Sequence, residues 1–170
     1  MSAPANFIIE PLGPYDRTGF SCGEPALDAY FRRQAGQDHR RRVASVFVAI
    51  PSGGDGVAGF YTLSATAVRL GSLPVELTRR LPRYPELPGI LLGRLAVATR
   101  WRGHGLGRLL VADALTRCAA LEEIGSLFLV TDAKDTEAAA FYTHLGFFPL
   151  ADVPQRHLFP LDELRRPAGR

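Results

Sequence analysis

The stretch "GILLGRLAVATRWRGHGLGRLLVADAL", residues 89–115, decides how the chain is read. Its opening, "GILLGRLAVA" (89–98), is a continuous apolar run of strand length and reads as a buried strand. Its end begins a longer pattern, "GLGRLLVADALTRCAALEE" (105–123), where Leu106, Leu109, Leu110, Ala114, Leu115 and Cys118 recur at helical spacing. Between strand and helix, Gly103, Gly105 and Gly107 stand at every second position. Glycine weakens helices and strands alike, so such a run serves an unusual backbone path or a close approach by another group. A plain turn, a dinucleotide fingerprint, a phosphate loop and a pantetheine-pyrophosphate cradle all use glycines in this way. The fingerprint G-x-G-x-x-G fails at Arg108, and the phosphate loop fails for want of Gly-Lys-Ser/Thr. What is present is Arg102-x-x-Gly105-x-Gly107, directly after a strand and directly before a helix. A helix N-terminus offers unpaired N–H groups and the positive end of its dipole, which together bind anions. Glycines let a pyrophosphate approach those groups, and Arg102 and Arg108 can add charge. A glycine turn without a ligand is the plainer alternative.

Working outward, "FIIEPLGPYD" (7–16) reads as a short strand and turn, and "EPALDAYFRRQAGQ" (24–37) as a helix with Pro25 near its start. "RVASVFVAI" (42–50) and "VAGFYTLSA" (57–65) read as strands, joined into a hairpin by "PSGGDG". "LPVELTRRL" (73–81) is a short helix, stopped by the region of Pro82 and Pro85. Beyond the glycine stretch, "SLFLVTDA" (126–133) is a buried strand. "DTEAAAFYTHLGF" (135–147) is a helix with Asp135 or Thr136 as N-cap and Gly146 as its stop. Short strands near 147–150 and 156–161 close the pattern. The order is an antiparallel half interrupted by helices, then a β-α-β-α-β half, which makes a mixed α/β sheet.

Composition bounds the function classes. With 170 residues, 46% hydrophobic and 22% charged, the chain is long enough for one domain with a real core and is ordinary for a globular protein. No apolar run reaches the length of a membrane span. The start "MSAPANFIIE" lacks a basic region and a long apolar core, so it is not read as a signal peptide, and the cytoplasm is the expected compartment. Cys22 and Cys118 fit no metal or CxxC spacing and read as reduced thiols; no metal is expected. Net charge is +3, yet of 20 basic residues only Lys134 is lysine. Arg32, Arg33, Arg40, Arg41 and Arg42 crowd one stretch, and Arg79, Arg80 and Arg83 another.

The stretch "RLAVATRWRGHGLGRLLVADAL" resembles the acetyl-CoA signature of the GNAT (Gcn5-related N-acetyltransferase) family, Arg/Gln-x-x-Gly-x-Gly/Ala. A second family mark stands in "AFYTHLGF" as Phe141, Tyr142, Gly146 and Phe147. The resemblance covers most of the chain. It implies an α/β (α+β) class: a single GNAT domain over residues 1–170, with a mixed, mostly antiparallel twisted sheet flanked by helices. It also implies acetyl-CoA as cosubstrate. Leu95, Ala96 and Val97 would hold the pantetheine arm by their backbone. Arg102, Gly103, His104, Gly105, Leu106, Gly107 and Arg108 would hold the pyrophosphate.

A narrower resemblance runs through "SCGEPALDAYFRRQAGQDHRRRVASVFVA", "GFYTLSA", "LPRYPELPGILLGRLAV" and "VTDAKDTEAAAFYTHLGF". These segments are similar to the GNAT toxins of type II toxin–antitoxin pairs. Those toxins acetylate the α-amino group of an amino acid already loaded on tRNA, and so block translation. The resemblance implies an aminoacyl-tRNA substrate and a small ribbon-helix-helix antitoxin, and dimers are common in the family. Acetylation of a small-molecule amine or a protein N-terminus is the alternative activity, and an acyl-CoA sensor without catalysis a third.

The reaction needs a neutral amine, a stabilised oxyanion and a proton for the leaving thiolate. The family places the tyrosine matching Tyr142 near the CoA sulfur, and a phenol with pKa near 10 is protonated at neutral pH and can act as general acid. Packing alone is the plainer reading of Phe141. Some family members carry a glutamate on or near the strand before the loop, whereas "ILLGRLAV" has no carboxylate. An α-amino group, with pKa near 7.7–8.0, is already partly neutral where a lysine near 10.4 is not, so the missing base favours an α-amine. His104 and His144 are the other candidate bases. Backbone N–H groups of 95–97 would meet the oxyanion. With the toxin resemblance, the arginine clusters read as a face for tRNA phosphates, with Tyr84 able to stack on a base. A solvated surface paired with Asp28, Asp38 and Glu76 is the other reading.

Overall fold

In the computed structural model, which describes residues 6–54 and 56–165, the β-branched and aromatic runs become strands as their pattern demands. These are β1 (Phe7–Pro11), β2 (Ser45–Pro51), β3 (Gly59–Arg69), β4 (Glu86–Val97), β5 (Phe128–Asp132), β6 (Phe148–Pro149) and β7 (Arg156–Pro160). Among the described residues they form one seven-stranded sheet, in the order β1-β2-β3-β4-β5-β7-β6. β1 with β2, β2 with β3, β5 with β7 and β6 with β7 are antiparallel, while β4 with β5 is parallel. This is the mixed, mostly antiparallel sheet that the sequence implies. The helices flanking it are α1 (Pro25–Ala29), α2 (Ala35–Arg41), α3 (Val75–Thr78), α4 (Leu106–Ala120), α5 (Thr136–His144) and α6 (Asp162–Arg165).

Contacts gather into two compact units. One holds the residues up to Ser64 together with Gly93–Ala114; the other holds Ala65–Leu92 together with those from Leu115 onward. In the first, Phe20, Tyr30, Phe31, Val46, Val48, Phe60 and Ala96 share one apolar core. Phe31 and Phe60 stack face to face there, 4.2 Å between centroids. In the second, Val68, Leu73, Leu87, Phe128, Val130, Leu150 and Leu158 share another. Arg165 of α6 ends α4: its guanidinium donates to the carbonyls of Cys118 and Ala119 and to Ser126, where a cation offsets the helix dipole. Cys22 and Cys118 are both buried, and no disulfide joins them.

The structure corrects four sequence readings. The helix expected over 24–37 reaches Arg41 and is interrupted by a π-helical turn, Tyr30–Gln34. Leu109, assigned to the apolar face of α4, is exposed, and Val111 is buried instead, because the buried stripe follows Leu106, Leu110, Ala114 and Cys118. β4 is not buried throughout: Leu87, Gly89, Leu92 and Ala96 are buried, but Gly93 and Arg94 are open. Consecutive residues of a strand point to opposite sides, so this is a local opening in β4 and not one open face. The short helix α6 follows β7 with no expectation to match it. Asp135 is the N-cap of α5, its carboxylate accepting from the Ala138 N–H at 2.8 Å.

Candidate functional site

The glycine stretch lies wholly in the first unit, between β4 and α4. After Val97 the chain makes a short 3-10 turn, Thr99–Trp101. It then passes through Gly103 and Gly105 at φ +81° and +74°. Side-chain-bearing residues lose about 1–2 kcal/mol in such a left-handed conformation, which explains glycine at these two positions. Gly107 is different: it already belongs to the first turn of α4. The N–H groups of Leu106, Gly107 and Arg108 precede the first helical bond of that turn, which Leu109 N–H makes to the Gly105 carbonyl. They form the positive end of a 15-residue helix. The turn is seated on β3: a Cβ on Gly59 would stand 2.9 Å from the Ala96 carbonyl oxygen and 3.2 Å from Leu106 and Leu110.

The side chains of the loop divide by role. Arg108 is exposed, and no described residue pairs with it. Arg102 is partly engaged, donating from Nη2 to the Cys22 carbonyl at 2.6 Å. His104 is also exposed, with Nδ1 within 3.2 Å of the Trp101 and Arg102 carbonyls. On β4, the ladder to β5 covers Gly89–Leu92 and goes no further, so Leu95, Ala96 and Val97 lie beyond it. Their backbone on that edge is left to other partners.

Tyr142 lies in the second unit, on α5, and is buried. It packs against Phe141, Phe147 and His157. Thr131, whose hydroxyl donates to the Leu92 carbonyl at 3.0 Å, stands near the Tyr142 phenol. Burial pushes the phenol above its ordinary pKa, and the Thr131 hydroxyl opposes that rise. The hydroxyl can do so by turning its proton toward a phenolate. His144 is exposed near the end of α5. The buried His157, with Nδ1 2.9 Å from the Gln155 carbonyl, escaped the sequence reading because it stands alone in a strand.

The arginines are distributed over both units. Arg32, Arg33, Arg40, Arg41 and Arg42 lie in the first, on the π turn and α2, all exposed. Arg32 donates to the Phe20 carbonyl and so ties down the loop before α1. Arg79, Arg80 and Arg83 lie exposed in the second, at and after α3, together with Tyr84. Two of the acids that could have neutralised them do other work, Asp28 accepting from the Cys22 N–H and Asp38 from Tyr30 and Gln34, while Glu76 lies exposed on α3. Among the described residues no group of three His, Cys, Asp or Glu could hold a metal ion, and no helix is long and apolar enough to cross a membrane.

Comparison with known proteins agrees with this geometry. Residues 14–147 match the Acetyltransferase (GNAT) family. A tRNA-acetylating toxin of Mycobacterium tuberculosis (strain ATCC 25618 / H37Rv) is 40% identical over 133 residues, 78% of each chain. The structure of AtaT complexed with acetyl-methionyl-tRNAfMet aligns with a TM-score of 0.86 and 28% identity, covering 94% of this chain and 97% of that one. A mutant AtaT toxin bound to the C-terminus of the antitoxin AtaR and acetyl-CoA aligns at 0.78 and 26%, covering 93% and 95%. With its glycine turn, its helix N-terminus and this match over most of its length, the chain belongs to the GNAT acetyltransferase family.

Proposed function

We propose that this acetyltransferase moves the acetyl group of acetyl-CoA to the α-amino group of an aminoacyl-tRNA, and thereby acts as the translation-blocking toxin of a toxin–antitoxin pair. The observation that carries the reading is the near full-length likeness, in fold and sequence, to a toxin solved with acetylated methionyl-tRNA. The exposed arginines without acidic partners support it. Leu95, Ala96 and Val97 take the pantetheine arm, and residues 102–108 take the pyrophosphate. The amine attacks the thioester carbonyl, the oxyanion is met by backbone N–H groups of 95–97, and the C–S bond breaks. Tyr142 protonates the departing thiolate. The attacking nitrogen gives its proton to water, which suffices for an amine whose pKa lies near neutrality. Arg33, Arg40, Arg41 and Arg42, with Arg79, Arg80 and Arg83, meet tRNA phosphates. Arg32 adds charge beside its structural bond. The expected setting is the cytoplasm, the expected neutralising partner a ribbon-helix-helix antitoxin, and the expected assembly a homodimer.

The test is transfer from labelled acetyl-CoA to total aminoacylated tRNA, with uncharged tRNA and free amino acids as controls. Label confined to charged tRNA establishes the activity, and sequencing the labelled RNA names the target. Label on small amines or protein N-termini, with none on RNA, replaces the reading with an ordinary acetyltransferase.

A further inference from the structure

Arg94 interrupts the apolar run of β4 one residue before Leu95–Val97, and its side chain is exposed. It is nonetheless held in place. Its guanidinium carbon lies 3.7 Å from the centroid of the Tyr30 ring. Tyr30 is in turn fixed at its other end: its hydroxyl donates to Asp38 Oδ2 at 3.0 Å, and Gln34 Nε2 donates to Asp38 Oδ1 at 2.9 Å. Tyr30 opens the π turn, a local break in helical register of the kind that re-aims side chains at functional sites. The Arg94 backbone is re-aimed too, its N–H donating to the buried Thr62 hydroxyl at 3.0 Å. No carboxylate or carbonyl of a described residue accepts from the guanidinium. A guanidinium fixed in plane with its N–H edges open binds an oxyanion through two parallel hydrogen bonds.

The acceptor proposed above presents an amine beside an ester, so it has no carboxylate of its own. Its nearest anion is the phosphodiester that precedes the terminal nucleoside. We propose that Arg94, stacked on Tyr30, binds that phosphodiester, so that a phosphate of the acceptor end is read together with the amine. This rests on the aminoacyl-tRNA reading. It also gives the local opening of β4 at Gly93 and Arg94 a use that the sequence pattern hid.

The experiment compares four acceptors bearing the same amino acid: the charged tRNA, the aminoacyl-CpA dinucleotide, the 3′-aminoacyl adenosine and the free amino acid. Only the first two carry the phosphodiester, and only the last a free carboxylate. Wild type should use the dinucleotide ester at least about tenfold better than the adenosine ester, the effect of one charge-assisted pair. Arg94→Gln should erase that preference and leave both adenosine-ester turnover and acetyl-CoA affinity within about twofold, which also shows that it folds. Arg94→Lys, which keeps charge without the planar fork, should fall between. Equal loss on all acceptors, an intact dinucleotide preference in Arg94→Gln, or a loss confined to the free amino acid each overturns the Arg94 assignment alone. Failure of wild type to acetylate any charged RNA overturns the aminoacyl-tRNA reading and this assignment with it.

Discussion

Two influences meet on the proton of Tyr142. Burial holds the phenol protonated beyond its ordinary pKa of 10.0, and Thr131 pulls against it. The alkaline limb of kcat should therefore lie above pH 10, as an acid of that strength stays loaded through neutral conditions. Tyr142→Phe should lower kcat by about 10²–10⁴ while leaving acetyl-CoA affinity within about twofold, as read by single-turnover transfer and titration. Thr131→Val removes the opposing hydroxyl, so the limb should move further up in pH, with kcat falling about fivefold from lost orientation. A pH–rate profile of the Val and Ser variants checks this, because Thr131→Ser keeps the hydroxyl and should behave as wild type. Tyr142 could be singled out as a candidate because an aromatic pair followed by Gly-Phe is a local pattern. Thr131 and Arg94 could not. Each acts through a partner distant in sequence, Leu92 for one and Tyr30 for the other, and no short spacing announces such pairs.

The elements most readable in the sequence are those whose ends carry punctuation. The Asp135 cap fixes α5, and the hairpin glycines fix the turn between β2 and β3. β4 misled because its apolar letters conceal a local opening, Gly93 and Arg94, between the buried Leu92 and Ala96. The helix before β2 misled because nothing in "AYFRRQ" marks a π turn. It follows from packing Tyr30 and Phe31 together into the aromatic core. The seating of α4 on β3 gives a prediction at this scale. Gly59→Ala puts a methyl 2.9 Å from the Ala96 carbonyl oxygen, a backbone atom that cannot swing aside. The protein should lose about 1–3 kcal/mol by denaturant unfolding. On the proposed reading acetyl-CoA affinity should fall with it, since the displaced helix begins with the turn assigned there to the pyrophosphate.

For the molecule as a whole, two responses to solution conditions follow. Tyr30, buried and bonded to Asp38, is pushed up to about 12, and Tyr142 is raised as well. Both groups ionise more readily in the unfolded chain, near pH 10, so their contribution to stability is complete below that value and is lost as pH climbs towards 12. Melting temperature should be level up to about pH 10 and then fall, and Tyr30→Phe should flatten that decline. The second response is to salt. Net charge is only +3, so the response belongs to the exposed arginines rather than to the total. With several phosphate contacts, kcat/KM for charged tRNA should drop at least about tenfold between about 50 and 200 mM salt, while the adenosine ester stays nearly level. The arginine clusters were plain in the sequence. That Arg32 and Arg102 bond to loop carbonyls was not, because a backbone acceptor leaves no letter to read. Finally, Gly59, Gly103 and Gly105 are each defined by having no Cβ, through crowding at the first and handedness at the other two. Every base change in the first two positions of a glycine codon replaces the residue, so missense changes at these three codons should cost more activity than changes at Gly19, Gly71 or Gly125, where an added Cβ meets nothing and φ is ordinary.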